Sequence, residues 1–390
     1  MRMVRTENNG LWISNLCRER LLQLAESFGE LAKNYDCDFA VKSTEKEVVL
    51  AERRLWENKQ LLGDQFTEMS RMMREVAWEM VCLQLLSPKE EKKLITQMRA
   101  EGIEVENPVY LVREDGRESL RVFLNTLGKD GCSAEEVTDL ISVVLGRRFV
   151  LSGESPLVVG AEKQHFLLDP EPKFIGLTGF ARAVKDEEPC SGDNFAVLES
   201  SRGRLKVILS DGTGSGEKAC RESEQVLDHL ERFLEAGYTT EGALRMVNSI
   251  LYVEEQDENH PTIDLCDINL HRGRLELWKL GAAASFLKGD YQVEKLENRC
   301  LPLGFFRQTE TTPICRRLQD QDRIILCSDG VVEAFGEVSN EEELCQLIGG
   351  MKNSNPADMA KRILKSAILA AGGKVRDDMT VGVIGIWENH

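Results

Sequence analysis

Residues 193–219 read DNFAVLESSRGRLKVILSDGTGSGEKA, and this stretch decides the fold. Two apolar runs, FAVLES and RLKVILS, flank SRGR, a turn signal centred near Arg202. The reading is an antiparallel hairpin. Asp193 precedes the first run and Asp211 follows the second, nine residues either side of the turn's centre. Chain reversal therefore brings both carboxylates to one open end, at the roughly 5 Å spacing of neighbouring strands.

The same geometry recurs further along. RIILCS delivers Asp329 at its exit with Gly330 next, and Asp377 with Asp378 stands at the entrance of MTVGVIGIW. An exit on one strand and an entrance on an antiparallel neighbour share an edge, so four acidic positions have one meeting point. Hard oxygen ligands suit magnesium or manganese. Two such ions roughly 3.5–4 Å apart activate a water and clamp a phosphoryl oxygen, with no side-chain nucleophile. Gly212 and Gly330 fit this scheme because a glycine turns sharply and its carbonyl approaches a metal unobstructed. One Asp-Gly is an ordinary turn dipeptide; two SDG motifs on apolar strands plus an acidic pair entering a third argue for a site.

Upstream, apolar positions recur at helical spacing: Leu21, Leu24, Phe28, Leu31, then Leu55, Leu62, Phe66, Met69, Met73, Val76, Met80. The second series is close to a heptad stripe, which suits either a dimerising coiled coil or an amphipathic helix packed on its own domain. EVENPVYLV, SLRVFLNTL and FVLSGES read as strands, and AEEVTDLISVVLG as a helix that Ser133 caps. The charged stretch VKDEEPCSG, broken by Pro189, marks the main boundary. Three segments follow: helices over 1–101, a small α+β module over 102–183, and an α+β domain over 184–390. In the last, ACRESEQVLDHLERFLEAG and EGALRMVNSILYV are consecutive helices among strands.

Composition narrows the chemistry. In 390 residues, 66 acidic side chains against 49 basic ones leave a formal charge of −17, which disfavours nucleic acid and anionic lipid. Eleven scattered cysteines, with no Cys-x-x-Cys pair, read as reduced thiols of a cytoplasmic protein. Five histidines, none paired at helical spacing, argue against a Cys/His zinc site. No apolar run of about 18 residues is present to span a membrane.

SGDNF (191–195), SDGTGSGEKA (210–219), SDGVVE (328–333) and RDDMTVGVI (376–384) resemble the PPM, or PP2C-like, phosphatases. More narrowly, they resemble the stage II sporulation protein E branch. TGFARAVKD, LERFLEAGY, VNSILYV, TIDL, KLGAAASFLK and LPLGF strengthen the match, which runs from about Thr178 to the C-terminus. The resemblance implies an α-β-β-α sandwich, two antiparallel sheets flanked by helices, with two manganese or magnesium ions. It implies Asp211 as bridging ligand beside the Gly212 carbonyl, Asp329 and Asp377 completing the shell, Asp193 at its edge, and Asp378 and Gly330 supporting. The implied substrate is a phosphoserine on an anti-sigma factor antagonist, whose dephosphorylation releases a sporulation sigma factor. The helix pair after SDGTGSGEKA is implied to be a switch; alternatively it only covers the sheet with Val226, Leu230, Phe233 and Leu234.

Thr213, Pro261 and Ala284 depart from residues usual in that branch, and none removes a ligand. The multi-span segment of full-length, membrane-anchored relatives is missing, so the sequence suits a soluble fragment, a split product or a shortened relative. Lys218 and Arg182 are candidates for contact with a substrate phosphate, or ordinary surface charges. GTGSGEKA opens a helix but lacks the spacing of a P-loop or a dinucleotide fold. Cys327 reads as a strand residue rather than a nucleophile. The rival reading is a catalytically silent scaffold of the same fold that binds a partner through its helices.

Overall fold

The computed structural model describes residues 5–35, 46–79, 82–112, 117–128, 130–153, 155–200, 203–254, 260–290, 292–298, 300–306, 312–336, 340–352 and 355–389. Met80 and Arg202, named above, lie outside these. The chain divides into two compact units, one built mainly from Phe66–Glu171, the other from Pro172–Ser200 and Arg204–His390.

Two long helices come first, α1 (Arg5–Tyr35) and α2 (Lys46–Glu79). The apolar stripe is divided between them. Phe28 stacks on Phe66 with ring centroids 5.9 Å apart, and the Ser70 hydroxyl donates to the Ala25 carbonyl at 2.6 Å. Leu24, Leu31, Leu55 and Leu62 stay exposed.

In the first unit follow β1 (Cys82–Leu85), α3 (Pro88–Ala100), β2 (Ile103–Val112), β3 (Glu118–Thr126), β4 (Cys132–Ser133), α4 (Ala134–Leu145), β5 (Phe149–Leu151), β6 (Val158–Val159) and β7 (Gln164–Pro170). The antiparallel sheet β1-β2-β3-β7-β5 buries one face under α3 and α4 through Leu94, Met98, Val137 and Ile141. A capping box starts α3: Ser87 Oγ accepts from the Glu90 amide, and Glu90 accepts from the Ser87 amide. Ser133 stands at the N-cap of α4, but its hydroxyl makes no capping bond.

The second unit contains β8 (Phe174–Ala183), β9 (Asp193–Ser200), β10 (Arg204–Asp211), α5 (Gly216–Glu235), α6 (Thr240–Glu254), β11 (Thr262–Asn269), β12 (Arg274–Leu280), β13 (Ser285–Lys288) and β14 (Val293–Leu296). It continues with β15 (Ile314–Arg317), β16 (Arg323–Cys327), α7 (Asp329–Glu333), α8 (Asn340–Gly350), α9 (Pro356–Ala370) and β17 (Met379–Glu388). Two antiparallel sheets result, β15-β12-β11-β10-β9 and β14-β13-β16-β17-β8.

Strand alternation sends one set of side chains inward and the other toward helices. Leu205, Val207, Leu209, Ile324, Leu326 and Ile384 meet between the sheets. Ile208 and Leu265 of one sheet pack with Val226 and Leu230 of α5, while Ile325 and Val381 of the other pack with Met359 and Ile363 of α9. The expected α-β-β-α sandwich is therefore present.

The boundaries read from sequence need correction. β8, assigned upstream, pairs with β17 along ten residues, from Met379↔Ala183 to Glu388↔Phe174. The Pro189 stretch is thus a loop inside the sandwich, and the second unit takes over at Pro172. Similarly, β1 and α3, assigned to the leading helices, complete the α+β module.

Candidate metal centre

The hairpin register carries the site. Asp211 pairs with Asp193 across β9 and β10, and Leu209 and Asp211 project on the inward face. In the other sheet Cys327 pairs with Val381, so the exit toward Asp329 lies beside the entrance from Asp377 and Asp378. The Ser328 amide donates to the Thr380 carbonyl at 3.0 Å, and the Thr380 amide to Ser328 Oγ at 2.9 Å.

Two glycines permit this closeness. A Cβ on Gly212 would sit 2.2 Å from the Ala219 carbonyl oxygen, and one on Gly330 would sit 2.3 Å from the Asp378 oxygen. The Gly212 amide also donates to the Gly192 carbonyl at 3.2 Å, closing the mouth of the hairpin.

Burial and mutual repulsion dominate the electrostatics. The Asp211 carboxyl is pushed up to about 10 by burial and by the adjoining carboxylates of Asp193 and Asp329. Asp193 is fully buried and raised to about 6, first by desolvation, although the Thr380 and Ser328 hydroxyls nearby pull it back. Neither of its oxygens receives a well-formed hydrogen bond; the Ser328 hydroxyl donates instead to the Asp378 carbonyl. Asp329 is raised by burial and then by Asp377. Among the described residues, no three side chains of histidine, cysteine or carboxylate type form a ready-made cage; the carboxylates meet pairwise. The two donor-less buried oxygens of Asp193, beside the carboxyl of Asp211 that Asp329 of the other sheet also adjoins, are a donor set that fits a hard dication.

Asp378 has a different job. Its carboxylate accepts from the Lys185 amide at 2.9 Å and the Gly192 amide at 2.7 Å, pinning the loop that joins the sheets. Arg182 donates to the Asp193 main-chain carbonyl at 3.2 Å, bracing the backbone of that aspartate from β8. Lys218 is exposed on α5 and pairs loosely with Glu222 at 3.8 Å, a surface arrangement. Burial pushes the Cys327 thiol up to about 12, which removes it as a nucleophile.

Sequence reasoning missed the posts behind the aspartates. Ser223 Oγ, on α5, donates to the Gly192 carbonyl at 2.6 Å and accepts from Asn194 Nδ2 at 2.9 Å. Asn194 lies within SGDNF, where the motif itself was the available signal; nothing local marks Ser223. Lys185 Nζ donates to Ser215 Oγ at 3.2 Å, tying the same loop to the start of α5.

Residues 201–387 match the family model "Stage II sporulation protein E (SpoIIE)". That match takes in a little under half of the chain. Two relatives named stage II sporulation protein E are each 26% identical, one from Priestia megaterium over 337 residues and one from Bacillus subtilis (strain 168) over 338. Each match takes in 86% of this chain but only 58% and 41% of the respective relatives' length. Among solved structures, the PP2C phosphatase domain with a regulatory-domain fragment of the cell fate determinant SpoIIE from Bacillus subtilis is similar at 26% identity and TM-score 0.66. That likeness covers 89% of this chain and 100% of that one, so it reaches beyond the residues matched by the family model into the upstream segments. The sandwich has the fold of PP2C phosphatase domains.

Proposed function

We propose that the chain is a metal-dependent protein serine phosphatase whose centre is the carboxylate cluster of the sandwich. The observation that carries this reading is that Asp211 stands opposite Asp193 in the hairpin and that the carboxylates of Asp193 and of Asp329, from the other sheet, both disfavour its charge. Asp193, Asp211, Asp329 and Asp377, with the Gly212 carbonyl, would hold two ions of manganese or magnesium. Bound there, such ions make water nucleophilic at neutral pH and neutralise charge on a phosphate ester.

The chain's own residues orient the site. Asp378 fixes the loop bearing Gly192 and Asp193, and Arg182 holds the Asp193 backbone from β8. Arg182 is also the cation best situated to meet a substrate phosphate; exposed Lys218 is less so.

The substrate we infer is the phosphoserine of an anti-sigma factor antagonist, in sporulation signalling within the cytoplasm; the names of the relatives support the sporulation setting and the phosphatase fold. Among the described residues no helix is long and apolar enough to cross a membrane. Exposed Leu24, Leu31, Leu55 and Leu62 support homodimer formation through α1 and α2, and contact of α5 with Gly192 supports a switch role for that helix. The test is hydrolysis of a phosphoserine protein with and without manganese, by wild type and Asp211→Asn. Manganese-dependent turnover lost in the variant supports the enzyme. Equal rates in the two proteins overturn it, and silence of both with the cognate substrate favours the scaffold.

A further inference from the structure

Among the described residues, the lysine most completely sealed inside the sandwich lies beneath the carboxylate cluster. Lys279 and Asp264 are each 1% exposed and Ser285 is 0% exposed. Lys279 Nζ donates to Asp264 Oδ1 at 2.5 Å, to Asp264 Oδ2 at 2.7 Å and to Ser285 Oγ at 2.8 Å. The Ser285 hydroxyl in turn donates to Asp264 Oδ2 at 2.8 Å. The triad is a closed circuit in which all three ammonium protons have acceptors.

Its location gives the circuit a purpose. Asp264 and Lys279 face each other on β11 and β12 of one sheet, and Ser285 opens β13 of the other. Asp264 also pairs with Leu209, two residues before Asp211. Ser285 precedes Phe286, whose partner Ile325 lies four residues before Asp329. The bonds therefore cross between the sheets one layer below the points where each strand delivers an aspartate.

Stability alone is a poor reason to keep such a group. Desolvating two ions generally consumes what their attraction returns, and apolar replacements of equal volume are often neutral or stabilising. Apolar faces, however, lack directional bonds to fix one sheet against the other. A metal shell with ligands from both sheets tolerates errors of only about 0.2 Å in its ligand distances.

We propose that Lys279, held by Asp264 and Ser285, is a positioning residue for the metal centre, fixing the relative placement of the two sheets so that Asp211 and Asp329 face one ion. This rests on the metal-site reading above.

The experiment measures manganese affinity by calorimetry, and unfolding temperature in chelator, for the full chain. The double variant Asp264→Leu/Lys279→Met should unfold in chelator at or above the wild-type temperature, yet bind manganese about 10-fold more weakly or worse, as loss of outer support for ligands does. Unchanged affinity in that variant overturns the proposal. Ser285→Ala gives a second, milder reading, since it leaves the ion pair within one sheet and removes only the cross-sheet bonds. Weakened manganese binding, restored by Ser285→Thr, supports positioning; wild-type affinity in Ser285→Ala overturns it. Wild type that fails to bind manganese at all is a different result, which removes the metal-site reading and this proposal together.

Discussion

Asp211 stands directly opposite Asp193 in the β9–β10 register, and the two carboxyls adjoin in a buried space that a third, Asp329, enters from the facing sheet. The relationship is costly without a counter-charge, and that cost is what can be measured.

Asp211→Asn removes the cost of holding a buried carboxyl protonated beside two others, while keeping shape and size. In chelator the variant should be more stable than wild type, rising about 2–4 °C for each kcal/mol recovered. With manganese the order should reverse, with affinity down by more than about 100-fold, since even outer partners of ligands are worth about 10- to 100-fold. Thermal unfolding across a manganese titration reads both effects; a variant less stable in chelator would contradict the repulsion described.

Metal addition should stabilise wild type in proportion to occupancy. At a concentration about 100 times the dissociation constant, linkage supplies about 2.7 kcal/mol, or about 5–11 °C in unfolding temperature. Differential scanning fluorimetry with manganese, magnesium and chelator checks this, and no shift with either ion would contradict the donor set.

Gly212→Ala places a methyl group 2.2 Å from the Ala219 carbonyl oxygen, a contact with backbone that no rotamer relieves. The start of α5 must move away, at about 1–3 kcal/mol by the general cost of overpacking. Chemical denaturation should register that loss, and manganese affinity should fall with it because the Gly212 carbonyl moves too.

Asp378→Asn keeps one acceptor oxygen where two amides, those of Lys185 and Gly192, now donate. One buried N–H loses its partner, at about 1–3 kcal/mol. The denaturation midpoint should drop accordingly, and hydrogen exchange of the Lys185 or Gly192 amide should accelerate.

Much of this molecule is legible in local pattern. Equal spacing of Asp193 and Asp211 about a turn defines their pairing, because an antiparallel register is symmetric about its hairpin. Apolar runs ending in SDG identify where strands stop, and three- and four-residue periodicity finds the helices. Pattern fails where partners are remote. β8 is a strand on inspection, but its membership in the second unit depends on pairing with β17, some two hundred residues on, which no window detects. Pro189 and its charged neighbours signal a loop correctly and a domain boundary wrongly.

The sequence by itself determined the hairpin, the strand exits and the residue types offered to an ion, since these follow from side-chain alternation and turn chemistry within short segments. Tertiary structure alone decided that Asp329 of the facing sheet adjoins Asp211, that Asp378 anchors a loop, and that Lys279 is sealed between sheets with Asp264 and Ser285. Those outcomes depend on how two sheets stack, a matter of burial and directional bonding between segments far apart in the chain.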